Sequence, residues 1–139
     1  GMMNFETIGG KIIEAHLRFA DQWCDLNGKG WIEAMVRLYT DGTWAYDEGQ
    51  RRLGYSIPLF ARHNSNFVHP PRELQTRIRA LPHVSSLQIT FYDTKEAIAH
   101  PMPPGGFRIG IVNAWDLPAG FAAIDELASA FPTHSLLRA

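Results

Sequence analysis

Residues 107–115 read FRIGIVNAW, in which Phe107, Ile109, Ile111, Asn113 and Trp115 alternate with Arg108, Gly110, Val112 and Ala114. A period of two over nine residues marks a β-strand, whose successive side chains leave opposite faces of a sheet. Upstream, His83, Ser85, Leu87, Ile89 and Phe91 alternate with Val84, Ser86, Gln88, Thr90 and Tyr92. Asp93-Thr94 then turns the chain into Lys95–Met102, a hairpin signal, and Pro103-Pro104-Gly105-Gly106 is a loop. The second half is therefore expected to be mostly antiparallel strand.

The first half has a different period. Ile12, Ile13, His16, Leu17, Ala20, Trp23 and Cys24 recur at helical spacing, with Lys11, Glu14, Arg18, Asp21 and Asp25 opposite them. Asn27-Gly28-Lys29-Gly30 stops that helix. A second is expected from Trp31 to Tyr39, with Ile32, Met35, Val36 and Tyr39 on one side. Asp41-Gly42 closes it and leads into a strand, Thr43–Asp47. A third helix follows Gly54, with Ser56 as cap and Pro58 in its first turn. Two stretches are ambiguous. Residues 72–80 fit a helix after Pro70-Pro71 but also alternate as a strand does. In residues 121–131, Phe121, Ile124, Leu127, Ala128 and Phe131 share one helical side. With no repeats, linkers or low-complexity runs, residues 2–139 read as one α+β domain, and Gly1 ahead of Met2 as an expression scar.

Composition narrows the partners. A chain of 139 residues that is 45% hydrophobic can build a core, and its formal charge of −1 offers no basic field for nucleic acid. A single cysteine, Cys24, makes no internal disulfide and fits a reducing compartment. Charges at Glu6, Lys11, Glu14, Arg18, Asp21 and Asp25 exclude a signal segment or membrane span in residues 2–26, so a soluble, cytoplasmic protein is expected.

The order of elements resembles the nuclear transport factor 2-like superfamily, which includes SnoaL-like cyclases, ketosteroid isomerases and scytalone dehydratases. FADQWCDLNGKGWIEAMVRLYTDGTW is similar to the family's opening, QRRLGYSIPLFARHN to its charged turn and following helix, and FRIGIVNAWDLPAGFAAIDELASAF to its last two strands. The resemblance implies a cone: a curved antiparallel sheet wrapped on three N-terminal helices, with a largely apolar pocket at its mouth, commonly in a homodimer built on the open sheet face. It also implies that 121–131 is a strand, and that is the expectation adopted, because tertiary pairing overrides local propensity. If 121–131 is helical instead, the alternative is a ferredoxin-like α+β fold with a C-terminal helix.

The isomerases' catalytic positions, carried across by the resemblance, fall at or beside Trp23, on Tyr46 with Asp47 one residue along, and near Ile111. All three depart from the family's residue types, which supports the fold without that mechanism. By chemistry, Asp47 pointing inward among Trp44, Tyr46 and Phe60 would lose hydration and serve as a general base; its alternative is a solvated turn acid beside Arg51 or Arg52. His63 is the second proton carrier, or an exposed helix-end histidine. Tyr46, Trp23 or Asn113 would steady an enolate-like oxygen. Trp44, Phe60, His83, Phe91, Asn113 and Trp115 are candidates to line the pocket, with core packing as the plainer role. Asn113, among apolar neighbours, must find a partner or cost on the order of 1–3 kcal/mol.

No nucleotide-binding glycine pattern, nucleophile elbow or metal-ligand spacing is present, so no cofactor or metal is expected. His16 on the apolar stripe reads as a buried hydrogen-bonded histidine, and His83 and His100 as a pair that can meet across a hairpin. Two functions remain. One is a cofactor-free isomerase, lyase or cyclase acting on a small hydrophobic carbonyl compound by proton abstraction. The other is a non-catalytic ligand-binding or dimerisation domain.

Overall fold

The computed structural model describes residues 2–17, 23–47, 49, 51–63, 67–91 and 106–137. It is an α+β fold with three α-helices and antiparallel strands, dividing into two compact units, Gly1–Arg52 and Leu53–Ala139. No helix among the described residues is long and apolar enough to cross a membrane.

The first unit opens with a hairpin whose second strand lies where a helix was expected. Strand β1, Asn4–Ile8, pairs antiparallel with β2, Lys11–His16. Gly9 and Gly10 connect them with φ of 55° and 78°. Positive φ at both central residues is the demand of the type I′ turn, whose twist matches that of the flanking strands and which glycine meets without strain. That turn, with β-branched Ile12 and Ile13 after it, overrides the helical spacing of the apolar residues. The register shifts between Glu6 and Thr7, so Thr7 faces Ile12 but Glu6 faces Glu14, leaving Ile13 as the bulged residue.

Helix α1, Trp31–Asp41, lies where the sequence placed it, between Gly30 and Gly42, both in the left-handed region. Its buried residues are Trp31, Ala34 and Met35, at i, i+3 and i+4. Ile32, Val36 and Tyr39, expected to face inward, are exposed. Thr43–Asp47, expected as a strand, pairs with no strand among the described residues.

The second unit runs β3 (Tyr55–Ala61), α2 (Arg72–Arg79), β4 (Val84–Ile89), β5 (Phe107–Ala114), α3 (Leu117–Ala128) and β6 (Leu136–Leu137). Its strands lie in the order β4-β5-β3-β6, each pair antiparallel. This β-α-β-β-α-β succession, with β5 inserted between β3 and β4, is the split β-α-β or ferredoxin-like topology. The alternative read from the sequence, a ferredoxin-like fold of the chain with a C-terminal helix, differs in that this arrangement is confined to Leu53–Ala139 and β6 follows α3. Residues 121–128 are indeed part of α3, a correction to the strand implied by the family resemblance. Asp116 caps α3 by accepting a hydrogen bond from the Ala119 N–H at 3.0 Å, and Pro118 occupies its first turn. Glycine at position 120 permits the close approach onto β3: a Cβ there would lie 2.5 Å from Ile57 Cδ1 and 3.2 Å from Ala114 Cβ.

Strand β3 replaces the third expected helix. Ile57, Leu59 and Ala61 are buried while Ser56, Pro58 and Phe60 are exposed, a strand's alternation. Among the described residues β6 pairs with Phe60 and Ala61 only, and Pro58 lies on the stretch of β3 that β6 does not pair with there, where no N–H is required. A bulge breaks the alternation of β5: Leu59 faces Gly110, but Phe60 faces Arg108. Ile109, the extra residue, turns into the core and is fully buried. Helices α2 and α3 cover one sheet face, where Ile57, Leu59, Leu87, Ile109 and Val112 meet Ile78, Ile124, Leu127 and Phe131. The ambiguous 72–80 stretch is α2, anchored by Ile78.

Candidate functional site

The sequence candidates fall into two groups, one in each unit. In the first unit, Asp47 is exposed, and its Oδ1 accepts the Gly49 N–H at 3.0 Å. That is an Asx-type turn, the solvated alternative to a desolvated base. Tyr46 packs its ring 5.8 Å from that of Trp44, and its hydroxyl is buried without a hydrogen-bond partner. Trp44 is partly exposed, and Trp23 is buried with its indole N–H donating to Asp25 Oδ2 at 3.1 Å. The donor proposed to polarise a carbonyl is therefore already engaged.

In the second unit, His63 is half-buried and stacks on Phe107 at 5.9 Å. Phe91 belongs to the same aromatic group: Phe67 lies edge-on to Phe91, Phe107 and Phe131 at 5.7–5.9 Å, and His69 Nε2 meets the Phe91 carbonyl at 2.8 Å. These rings close one end of the core. Phe60 is exposed on β3 opposite Leu137 of β6. His83 sits in the turn before β4 at φ 65°, and its carbonyl accepts the N–H of half-buried Trp115 at 2.7 Å. Asn113 is 1% exposed on β5, between Ser56 and Ser86; its Nδ2 donates to Ser86 Oγ at 2.8 Å, whereas its Oδ1 is buried without a partner. His100 and the Asp93-Thr94 turn lie outside the described residues.

The most conspicuous surface includes Ile12 and Leu17, which the sequence pattern placed on a helix, together with residues 3–7, for which no element was expected. Because side chains alternate along β1 and β2, Phe5, Thr7, Ile12 and Ala15 share one face, continued by Met3 and Leu17 at the open end. Asn4, Glu6, Glu14 and His16 share the other. The first face is apolar and open to solvent: Met3 is 53% exposed, Phe5 51%, Ile12 64% and Leu17 85%. The second is polar at its open end, with Ile8, 68% exposed, beside Lys11 at its turn end. His16 Nε2 lies 3.5 Å from Glu6 Oε1 and 3.2 Å from Glu14 Oε1, in contrast to the buried stripe histidine expected. The signal for this hairpin is Gly9-Gly10 flanked by β-branched and aromatic residues. No protein-family model, curated protein or solved structure matches the chain.

Proposed function

We propose that the chain is a non-catalytic self-association domain: its docking surface is the apolar face of the β1–β2 hairpin, and its partner is a second copy of the same chain. The observation that carries this reading is an amphipathic two-stranded sheet whose hydrophobic face is uncovered among the described residues. A two-stranded hairpin alone is marginal in water and needs a layer against its apolar face.

Area selects a second copy as that layer. Met3, Phe5, Ile12 and Leu17 together expose on the order of 500 Å², taking roughly 200 Å² for each fully exposed residue. Two such faces packed together bury about 1,000 Å², the size at which specific interfaces begin. The product is a two-layer, four-stranded sandwich with both polar faces outward, a self-complementary two-fold contact.

The proton-abstraction reading has less support. Asp47 is a solvated turn residue, and the cone that would enclose a hydrophobic carbonyl compound needs 121–131 as a strand where α3 stands.

Sedimentation velocity over a dilution series tests the proposal. The wild-type chain is expected to be a reversible dimer. Ile12→Glu, which places a charge at the centre of the contact, should weaken association by at least the roughly thirtyfold that corresponds to a 2 kcal/mol hot spot. A wild-type chain monomeric at high micromolar concentration, or an Ile12→Glu variant that dimerises equally well, overturns it.

A further inference from the structure

We propose that Glu6, Glu14 and His16, on the polar face of the hairpin, form a binding site for a divalent first-row metal ion that staples β1 to β2. The inference rests on the opposite face from the self-association surface and does not depend on it. The bulge at Ile13 creates the site. Without that extra residue Glu6 would face Ile13; with it, Glu6 faces Glu14 directly, and Asn4 faces His16 two pairs further along, on the same face. Like charges directly opposed across two strands repel, and here both strands belong to a sheet with little else to hold it.

Geometry and charge favour a metal over a proton as the compensating cation. One donor atom from each of the three residues lies within 4.8 Å of the other two. The His16–Glu6 and His16–Glu14 separations of 3.5 and 3.2 Å compare with about 3.3–3.6 Å between neighbouring ligands on a tetrahedral zinc with bonds of 2.0–2.2 Å. A divalent ion held between Glu6 and Glu14 balances the charge of both carboxylates. One imidazole with two carboxylates suits zinc, and the partial exposure of all three residues leaves the fourth position to water. Such an ion ties residues from both strands and so orders the hairpin as it binds.

Isothermal titration of Zn²⁺ into the full, untagged chain is the test, performed below the concentration at which the chain associates. One ion per chain is expected. Glu6→Gln, Glu14→Gln and His16→Ala should each weaken binding at least tenfold, since even loss of a residue that merely supports a ligand costs about 10–100-fold. His134→Ala, at an exposed histidine of the other unit, should leave it unchanged. In parallel, Zn²⁺ should raise amide protection of Phe5 and Ala15 in the wild-type chain but not in Glu14→Gln, a readout that does not depend on the variant being fully ordered. Absence of saturable binding, affinity that survives His16→Ala, or binding without added hairpin protection overturns the proposal.

Discussion

Replacing Gly120 by alanine sets two effects of opposite sign against each other inside α3. In an open helix the change is stabilising by up to about 1 kcal/mol, because alanine has less backbone freedom to lose on folding. At position 120 the new Cβ lies 2.5 Å from Ile57 Cδ1, 3.2 Å from Ala114 Cβ and 3.6 Å from Ile57 Cγ1. The first distance is an overlap and the second a tight contact with a methyl group fixed to β5. Overpacking of a formed core costs about 1–3 kcal/mol, so Gly120→Ala is expected to be net destabilising by up to about 2 kcal/mol. Ile57→Val removes the overlapping Cδ1 and alone costs about 0.5–1.5 kcal/mol. The double variant should therefore be more stable than the two single losses imply, with a coupling of about 1 kcal/mol. Urea unfolding of the four proteins, followed by circular dichroism, measures this cycle. Stabilisation by Gly120→Ala, or strict additivity with Ile57→Val, would mean that α3 does not pack against β3 at this point.

Three further outcomes follow from single residues. Ile78 is the one fully buried side chain of α2, and Ile78→Ala should cost about 2–5 kcal/mol in the same unfolding assay. Asp116→Ala removes the cap that accepts the Ala119 N–H and should cost about 0.5–2 kcal/mol, with Asp116→Asn retaining most of the stability. Asn113→Asp places a carboxylate at a 1% exposed position. Burial raises the folded pKa of such a group above its unfolded value, so the variant should approach wild-type stability in acid and lose it as pH rises through the folded pKa, read as thermal midpoint against pH.

Where a local pattern agreed with its tertiary setting, the fold was legible. The alternation in β4 and β5 identified two strands, though not their pairing with each other, and Gly30 and Gly42 bracketed α1 because left-handed caps are sequence-visible. Phe121, Ile124, Leu127 and Phe131 at helical spacing marked α3 correctly, and three of the four are buried; the family resemblance displaced that reading. Pro58 suggested a first helical turn because its place in β3, beyond the described pairing with β6, is set by tertiary pairing and not by local sequence. Ile12, Ile13, His16 and Leu17 satisfy a helical period, and the bulge at Ile13 breaks the alternation that would mark a strand, so only the Gly9-Gly10 turn points to the hairpin. The bulge at Ile13, which no pattern announces, is what brings Glu14 to Glu6. The buried amide of Asn113 bonds the side chain of Ser86, not backbone, and retains an unpartnered carbonyl oxygen.

Self-association through the hairpin is tested most directly by hydrogen exchange resolved to β1 and β2, compared between low-micromolar and high-micromolar protein. Protection at Phe5, Thr7 and Ile12 should rise steeply with concentration, while the amides of β5, buried within the second unit, stay protected throughout. Hairpin protection that is independent of concentration, whether high or absent, would contradict the account.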